Sequence, residues 1–501
     1  MTRLKSKPWT SVLAVDLGSS RPRSTMVPVD RPWEDAGEVS GAYRVHASRD
    51  GESLWQEFRA GQLRDTILDV MRRAAALTGT GDVIAISITA QRGGTAFLDA
   101  DGSTIYVGPN TDLRSVFEGA AIDEELASQV HAATGHLPSL FFAPAKLHWW
   151  REHHPRKASR ISTVVSLGGW TAYQLTGELV DTAANLVETG LLNTSDGSVP
   201  ETLLNALGLP LDLIPPLVGL GEPAGKLSLQ AASGTGLKPG IPVYIAGPDA
   251  QSASLGAAAL EQGDIAVAAG WSAPLQMVTA IPAFDPKRRT WTGMHVVPGR
   301  WIAEANPGNT GGTLDTIKRL LRVRDYGRFD KLAASASASQ MVTAVLGPRA
   351  LDLGSPGMSL GGLITASPIT FDGLEAGAVA RATYENICFA IRECIELTEE
   401  VAGKSSGNLG LTGGLAASAV FPQMLADVLC APLRAYPTKG ASLGAAIVAS
   451  RPQTEWASVA REAQTHALTV EPDPHTSAEY IEGYRRWRAL KEGLDALADH
   501  L

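Results

Sequence analysis

The sequence predicts an α/β protein made of two domains, and three observations lead to this prediction. The chain has 501 residues, of which 44% are hydrophobic and 19% charged, so it can build two cores at roughly 100–200 residues per domain. Apolar runs of strand length alternate with stretches of helical spacing. A strand pattern that runs into glycine and serine occurs at residues 12–20 and again at 264–272. We therefore predict two domains on one plan, residues 1–258 and 259–501.

The first half shows strands, a turn and a helix in turn. Residues 12–15 and 25–29 read as two strands joined by a turn of small residues at 16–20. Residues 54–76 carry apolar side chains at helical spacing. Two further strands are predicted after this helix, at residues 83–88 and 95–98, the second ending in an Asp-Gly turn.

The second half opens with the repeated strand and continues with helices. Residues 382–401 form the clearest amphipathic helix of the chain, with an apolar stripe and most glutamates away from it. Residues 409–412 predict a strand that runs into a double-glycine turn, and 421–429 predict a helix. Residues 477–500 predict a charged amphipathic C-terminal helix that packs back on the body.

Charge and composition exclude several classes of function. The formal net charge is −9, and the densest basic cluster, residues 151–160, reads as a solvated helix end, so we expect no nucleic-acid partner. Three cysteines without metal-ligand spacing are typical of a reducing compartment. The apolar run near the N-terminus lasts about five residues, too short for a signal sequence, and no 18-residue apolar stretch occurs. We expect a cytoplasmic protein without a membrane partner.

The tripeptide Gly247-Pro248-Asp249 follows the apolar run at residues 243–246. A carboxylate held at the end of a buried strand, beside a cleft, is well placed to activate a hydroxyl as a general base. Aspartate after Gly-Pro is also a common turn residue, so this segment alone leaves both interpretations open.

Two glycine-containing segments are candidates for nucleotide contacts. In residues 16–20, Gly18 permits a tight turn, two serines and backbone N–H groups can bind phosphate oxygens, and Asp16 can hold hydrated Mg²⁺. The alternative is an ordinary hairpin turn. Gly413 and Gly414 leave backbone to which a flat ring or a phosphate can come close. The chain lacks the GxGxxG fingerprint after its first strand and the GxxxxGK[ST] of a P-loop.

Polar residues follow the strands of the first half at Gln91-Arg92 and at residues 110–114. Such groups of both signs near one sheet edge suit a polyhydroxylated small molecule. Each segment alone is equally compatible with a plain surface loop.

Taken together, these segments resemble the FGGY carbohydrate kinase family of the actin-like and Hsp70-like ATPase superfamily. The resemblance spans nearly the whole chain and rests on six motifs in the family's order. They are the first phosphate motif at 16–20, P-K-L-x-W at 144–150, x-x-L-T-G-E-x-V at 173–180, the G-G-D-x-Q stretch at 247–251, the adenosine motif at 412–416 and the segment at 442–446.

The resemblance implies two RNase-H-like (actin-like ATPase) domains with a cleft between them. The N-terminal domain, 1–258, would bind the sugar, and the C-terminal domain, 259–501, would bind the nucleotide. ATP and Mg²⁺ are the implied cofactors, a small sugar, ketose or polyol is the implied partner, and the family also allows a homodimer.

The resemblance assigns roles to residues at matching positions. Asp249 would be the general base, and Asp16 would position Mg²⁺ through water. Sugar contacts would come from Gln91, Arg92, Asp112 and Gln251. Nucleotide and phosphate contacts would come from Gly18, Ser19, Ser20, Gly270, Ser272, Gly311, Gly413 and Gly414.

Two departures from the family pattern motivate an alternative function. Trp271 stands where the family has a threonine, and Pro248 replaces a glycine and removes an N–H. A non-catalytic sugar or nucleotide sensor on the same fold is therefore the alternative, and an actin-like assembly ATPase is a remoter one. Short segments, residues 91–93, 109–114 and 249–251, resemble the autoinducer-2 kinase branch most, with ketoses and sugar alcohols equally open as substrates.

Overall fold

Two mixed sheets, one in each half of the chain, organise the molecule. The computed structural model describes residues 10–34, 37–47, 54–77, 82–336, 342–351, 359–365, 375–436, 440–498 and 500. Within these residues, no helix combines the length and the apolarity needed to cross a bilayer.

The first half, up to Gly256, contains eleven described strands and nine described helices. The strands are β1 (Ser11–Leu17), β2 (Pro22–Pro28), β3 (Glu38–Ser40), β4 (Val45–Ala47), β5 (Gln56–Phe58), β6 (Val83–Ala90), β7 (Thr95–Leu98), β8 (Thr104–Gly108), β9 (Thr163–Ser166), β10 (Pro223–Lys226) and β11 (Pro242–Pro248). The helices are α1 (Ala60–Leu77), α2 (Val116–Thr134), α3 (Ala143–His153), α4 (Pro155–Ala158), α5 (Leu167–Thr176), α6 (Ala183–Val187), α7 (Glu201–Ala206), α8 (Leu229–Thr235) and α9 (Asp249–Gly256).

The second half follows with its own strands and helices. The described strands are β12 (Ile265–Ala268), β13 (Leu275–Thr279), β14 (Trp291–Met294), β15 (Trp301–Ala305), β16 (Val342–Val345), β17 (Gly362–Thr365), β18 (Leu409–Thr412), β19 (Leu433–Ala435) and β20 (Leu468–Val470). The described helices are α10 (Thr310–Leu320), α11 (Tyr326–Ala334), α12 (Ala376–Ala402), α13 (Phe421–Leu429), α14 (Gly440–Ser450), α15 (Gln453–Gln464) and α16 (Pro474–Ala498).

The two large sheets share one topology. The first has the order β10-β11-β6-β1-β2-β3, in which β1 is antiparallel to β2 and parallel to β6, and β6 is parallel to β11. The second has the order β14-β15-β13-β12-β18-β19-β20, in which β12 is antiparallel to β13 and parallel to β18, and β18 is parallel to β19. The predicted α/β fold built twice on one plan is confirmed. The division between residues 258 and 259 stays a prediction.

The first sheet is covered by helices on both faces, which explains its continuous apolar strands. Along β1, Leu13 and Val15 point to the core formed with α1, α5 and α8, because side chains alternate between the faces of a strand. Val12 and Ala14 point to the opposite core, which α14 and α15 complete. Helix α14, from the second half of the sequence, therefore packs on the sheet of the first half, and α15 packs on α14 and α9.

Helices α9 and α14 cross closely at the centre of the molecule. A Cβ on Gly444 would lie 1.9 Å from the Ser252 carbonyl oxygen, and a Cβ on Gly256 would lie 2.1 Å from the Gly440 carbonyl oxygen. Only glycine allows two helix backbones to come this near. Helix α9 also contacts β12, so this helix pair joins the two sheets.

Two predicted elements differ from the structure. The helix predicted from residue 54 begins at Ala60, because residues 56–58 pair as β5 with β4. The predicted turn at Gly247-Pro248-Asp249 is a bulged strand end followed directly by helix α9. The helix predicted at 382–401 extends to Ala376–Ala402, and the one predicted at 421–429 occupies those residues.

Candidate active site

Three predicted site residues lie at the same edge of the first sheet. Strands β1, β6 and β11 are parallel neighbours, so their carboxyl ends meet at one edge. Asp16 lies near the end of β1, Gln91 follows β6, and Asp249 follows β11. The Gln91 N–H donates to the Leu17 carbonyl at 3.0 Å, which ties two of these ends together.

Asp249 is directed into the cleft by an irregular strand end. The pairing of β11 with β6 shifts register between Ile245 and Gly247, and such bulges redirect side chains beside active sites. Gly247 has φ +103°, and a Cβ there would lie 2.7 Å from a methyl of Val296. Asp249 becomes the first residue of α9, where the Ala250 N–H donates to its Oδ1 at 2.9 Å.

The protonation of Asp249 is shifted toward neutral pH. Burial and then the nearby Asp16 carboxylate raise the pKa of Asp249, Arg92 opposes both effects, and the net pKa is about 7. A carboxylate whose pKa lies close to the working pH combines an adequate ionised fraction with useful basicity. The geometry and the pKa therefore agree with a general base.

The β1–β2 hairpin places a cation beside Asp16. Asp16 and Arg23 are direct partners in the antiparallel ladder, so their side chains share one face. The Arg23 guanidinium donates to Asp16 Oδ2 at 3.2 Å, and both residues line the cleft. Arg23 was not among the residues predicted for the site, although its position opposite Asp16 across the turn was a usable signal.

The cleft itself has a volume of about 340 Å³ and is lined by loops from both halves. The residues that had been predicted from sequence and that line it are Asp16, Gly18, Ser19, Ser20, Asp249, Gly270, Ser272, Gly413 and Gly414. The structure thus brings together the general-base candidate, the metal candidate and most of the phosphate candidates. Trp271 also lines this cleft and is about half exposed.

The cleft glycines fall into two groups. A Cβ on Gly414 would meet no atom within 4 Å, and one on Gly270 would meet only the Ser272 carbonyl oxygen at 3.8 Å, so these two border open space. Gly413 and Gly311 instead pack backbone against backbone, since a Cβ on either would lie within about 2.5 Å of a main-chain oxygen of the loop that contains Gly270. The Gly311 N–H donates to the Trp271 carbonyl at 2.9 Å. Gly311 therefore supports the loop from behind.

Behind Asp249, buried polar atoms are left without hydrogen bonds to the described residues. They include Gln91 Nε2 and Gln251 Oε1. The opposite ends of the two amides are held by protein groups: Gln91 Oε1 accepts from the Asn110 N–H at 3.0 Å, and Gln251 Nε2 donates to Glu188 at 2.7 Å. Oriented amides with a free end are suited to sugar hydroxyls.

Asp112 has a different environment from the other predicted sugar residues. Its Oδ2 accepts hydrogen bonds from Tyr106 at 2.5 Å and from Arg114 at 2.7 Å, and its Oδ1 accepts from the Gln56 N–H at 2.8 Å. The contacts of Asp112 within the described residues do not include Asp249 or Gln251. The structure therefore places it in a polar cluster that holds the loop after β8.

Comparison with known proteins places the chain in a family. Residues 11–256 match the N-terminal domain, and residues 269–452 the C-terminal domain, of the FGGY family of carbohydrate kinases. The chain belongs to this family. The two matches together cover most of its length, and they confirm the predicted family and the predicted class of enzyme.

Individual relatives of this FGGY kinase agree with the family match. It is 27% identical to the putative sugar kinase YoaC of Bacillus subtilis, covering 83% of this chain and 84% of the relative. It is 25% identical to the autoinducer-2 kinase of Escherichia coli K12, covering 98% of this chain and 95% of the relative. The gluconate kinase from Lactobacillus acidophilus shares its fold, with a TM-score of 0.82 at 17% identity over 98% of this chain and 99% of that one.

Several residues around the site of the kinase had no motif in the sequence. Tyr43 has a buried hydroxyl, and burial, followed by the charges of Asp16 and Asp249, raises its pKa well above the usual value. Glu188 and Glu304 are buried beside Arg92. An acid inside the apolar strand β15 was the one available signal for Glu304, because a buried charge requires a partner. The homodimer and the cytoplasmic location stay predictions.

Proposed function

We propose that this kinase transfers the γ-phosphoryl group of ATP to a hydroxyl of a small sugar, ketose or polyol, with Asp249 as general base. The observation that carries the proposal is the position of Asp249. Its carboxyl group, with a pKa of about 7, lines a cleft of glycines and serines at the sheet edge where Gln91 and Gln251, two buried amides with ends unpartnered among the described residues, also lie.

In the proposed reaction Asp249 accepts the proton of the acceptor hydroxyl. The hydroxyl oxygen forms a bond to the γ-phosphorus as the bond from that phosphorus to the β–γ bridging oxygen breaks, and ADP leaves. Phosphoryl transfer requires mainly positioning and charge stabilisation from the protein. Arg23, which lines the cleft beside Asp16, is suited to stabilise charge on the transferred group.

The residues present fit a nucleotide and a divalent ion. Gly270 and Gly414 border open space, and the hydroxyls of Ser19, Ser20 and Ser272 line the same cleft. Asp16 offers the carboxylate that Mg²⁺ needs when it keeps most of its water ligands. When bound, the ion would neutralise phosphate charge, and Asp16 would hold it through its water ligands.

The sugar would lie against Gln91, Arg92 and Gln251. The free amide ends of Gln91 and Gln251 are buried and held in fixed orientation by Asn110 and Glu188. We assign Asp112 an indirect role, which is to fix Arg114 and the loop that carries Asn110. The sensor alternative has less support, because both carboxylates are retained and converge at one sheet edge.

A coupled assay of ADP release with MgATP tests the proposal. The acceptor panel contains ketopentoses, ketohexoses, tetritols, glycerol and the autoinducer-2 precursor. We expect turnover with at least one acceptor and its loss in Asp249→Asn. No turnover with any acceptor, together with ATP binding in a thermal-shift measurement, would favour the sensor instead.

A further inference from the structure

Arg92 is buried between two glutamates that come from distant parts of the chain. Its Nη2 donates to Glu304 Oε1 at 2.5 Å, and its Nη1 donates to the other oxygen of the same carboxylate. The Nη1 atom also lies 3.8 Å from Glu188 Oε2. The side chains of Arg92, Glu188 and Glu304 are 11%, 3% and 1% exposed. Both terminal nitrogens of the Arg92 guanidinium therefore already donate to the Glu304 carboxylate.

Both glutamates are held in place by further donors. Gln276 Nε2 donates to Glu304 Oε2 at 2.8 Å, and Gln251 Nε2 donates to Glu188 Oε1 at 2.7 Å. Burial raises the pKa of Glu304, and Arg92 and Gln276 oppose the rise. We assign Glu304 the ionised form, since its hydrogen-bond partners at both oxygens are donors.

The position of the Glu188 carboxylate requires a glycine at residue 293. A Cβ on Gly293 of β14 would lie 2.5 Å from Glu188 Oε1 and 3.2 Å from Gln251 Nε2. Burial raises the pKa of Glu188, but its contacts with His136 and Arg92 outweigh this effect and keep the pKa below its usual value. A second carboxylate therefore faces Arg92 as an anion.

These contacts set the charge of the acceptor site. A buried arginine beside a ligand site would by default bind a carboxylate through its bidentate guanidinium. Here Glu304 already occupies that guanidinium and Glu188 adds a second negative charge, while Asp249 must lose its proton to act as a base. An acceptor with its own carboxylate would meet the carboxylates of Glu304, Glu188 and Asp249 and an arginine whose charge is already paired. The imidazole of His136 lies 3.5 Å from Glu188 Oε2, so it pairs with a carboxylate of this group as well.

We propose that Glu304, supported by Glu188, determines acceptor specificity by neutralising Arg92, so that the kinase accepts neutral polyols and excludes aldonates. This inference rests on the proposed function and deepens it. The fold does not make the choice, because a gluconate kinase shares it. The choice is made by side chains of β15 and of the segment after α6.

The test compares ligands that differ in one carboxylate. Xylitol and xylonate, and glucitol and gluconate, are titrated by calorimetry into the wild type and into Glu304→Gln and Glu188→Gln, without ATP. Glutamine keeps the shape of each side chain and removes its charge. Glu261→Gln is the matched control, since Glu261 is an exposed, ion-paired glutamate bound to Arg300 and Arg461. Thermal unfolding of each variant establishes that it is folded.

We expect Glu304→Gln to bind at least one aldonate at least tenfold more tightly than the wild type, with a smaller change for the matched polyol. Glu188→Gln should also raise the affinity for the aldonate relative to that for the matched polyol, and Glu261→Gln should leave this ratio of affinities unchanged. Wild-type affinity for an aldonate equal to that for its polyol would overturn the inference. The inference would also be overturned if Glu304→Gln folds but gains no affinity for aldonates. If Glu304→Gln does not fold, the same outcome with folded Glu188→Gln would overturn it.

The two proposals fail separately in these measurements. Turnover of a neutral acceptor, together with no gain of aldonate binding in either glutamine variant, leaves the kinase function in place and removes the specificity role. A gain of aldonate binding in a protein that turns over no acceptor supports the specificity role and removes the proposed reaction.

Discussion

Asp249→Asn removes the proposed base while keeping the size of the side chain and its place at the start of α9. General-base catalysis contributes roughly 10²–10⁴-fold to rate, so we expect turnover to fall to between about 1% and 0.01% of the wild type. ATP binding should change little, because the nucleotide contacts come from other loops. Retained turnover above a tenth of the wild-type rate would refute the assignment of the base.

The raised pKa of Asp249 predicts how wild-type activity depends on pH. The base must be ionised, so kcat/KM should fall about tenfold per pH unit below the pKa of about 7 and level off above about 8. The ADP-release assay from pH 5.5 to 9, with a pH-insensitive coupling system, measures this profile. A wild-type profile that stays flat between pH 6 and 8 would contradict the reasoning.

The same pKa predicts a change in stability with a defined sign. The folded-state pKa of Asp249 lies above the unfolded value, so its contribution to stability is complete below about pH 4 and is lost as the pH rises through 7. Each pKa unit corresponds to about 1.36 kcal/mol, which sets an upper limit of about 4 kcal/mol. Since Asp249 is only partly buried in the open cleft, we expect about 1–2 kcal/mol.

Denaturant unfolding at pH 5 and pH 8 tests this expectation. From pH 5 to pH 8, the free energy of unfolding of Asp249→Asn should rise by about 1–2 kcal/mol relative to that of the wild type, because only the wild type has to bury the charge. Asp65→Asn, at an exposed position of α1, is the matched control and should gain nothing. An equal pH dependence of Asp249→Asn and the wild type would show that the carboxylate is not destabilised in the fold.

Three further predictions concern glycines and the indole of the cleft. Gly413→Ala should lower the free energy of unfolding by about 2 kcal/mol or more, because φ is +89° at this position and a Cβ would lie 2.4 Å from a carbonyl oxygen. Gly414→Ala should be as stable as the wild type but bind ATP about tenfold more weakly. Denaturant unfolding and calorimetry measure these two effects, and equal losses of stability in the two variants would contradict the assignment. Gly444→Ala should lower stability by about 1–3 kcal/mol by forcing α9 and α14 apart, and an unchanged melting temperature would show that the helices adjust freely. Trp271→Thr should leave or raise kcat, since its indole is half exposed, and a tenfold fall would show that the indole contacts a substrate.

Much of the fold followed from local sequence patterns. The strand at residues 12–15, the helix at 421–429 and the repeat of the first pattern at 264–272 all depend on periodicity within short windows, and the structure contains all three. The start of α1 was misplaced because residues 56–58 pair with a strand, which helical spacing of neighbouring residues does not reveal.

The site was predictable only as far as its residues lie in motifs at strand ends. Asp16, Gln91 and Asp249 were identified because each follows or ends a predicted strand, in a motif or a polar segment, and the parallel strands of the structure bring these ends to one edge. Glu188 and Glu304 are separated from Arg92 by about a hundred or more residues of chain, and their meeting depends on how β14 and β15 pack beside the first half. Such a contact leaves no local pattern in one sequence.

The position of the base depends on both halves of the molecule at once. Asp249 begins α9, which follows a strand of the first sheet and packs on β12 of the second, while α14 comes from the second half and packs on the first sheet. Ser87 of β6 donates to the Ala445 carbonyl at 2.6 Å, and Ser254 of α9 donates to Gln276 of β13 at 2.7 Å. Because each helix is anchored to the sheet of the opposite half, a displacement of one sheet relative to the other must move the helix that carries the base. Gly444→Ala, at a position that does not line the cleft, should therefore alter turnover in the ADP-release assay.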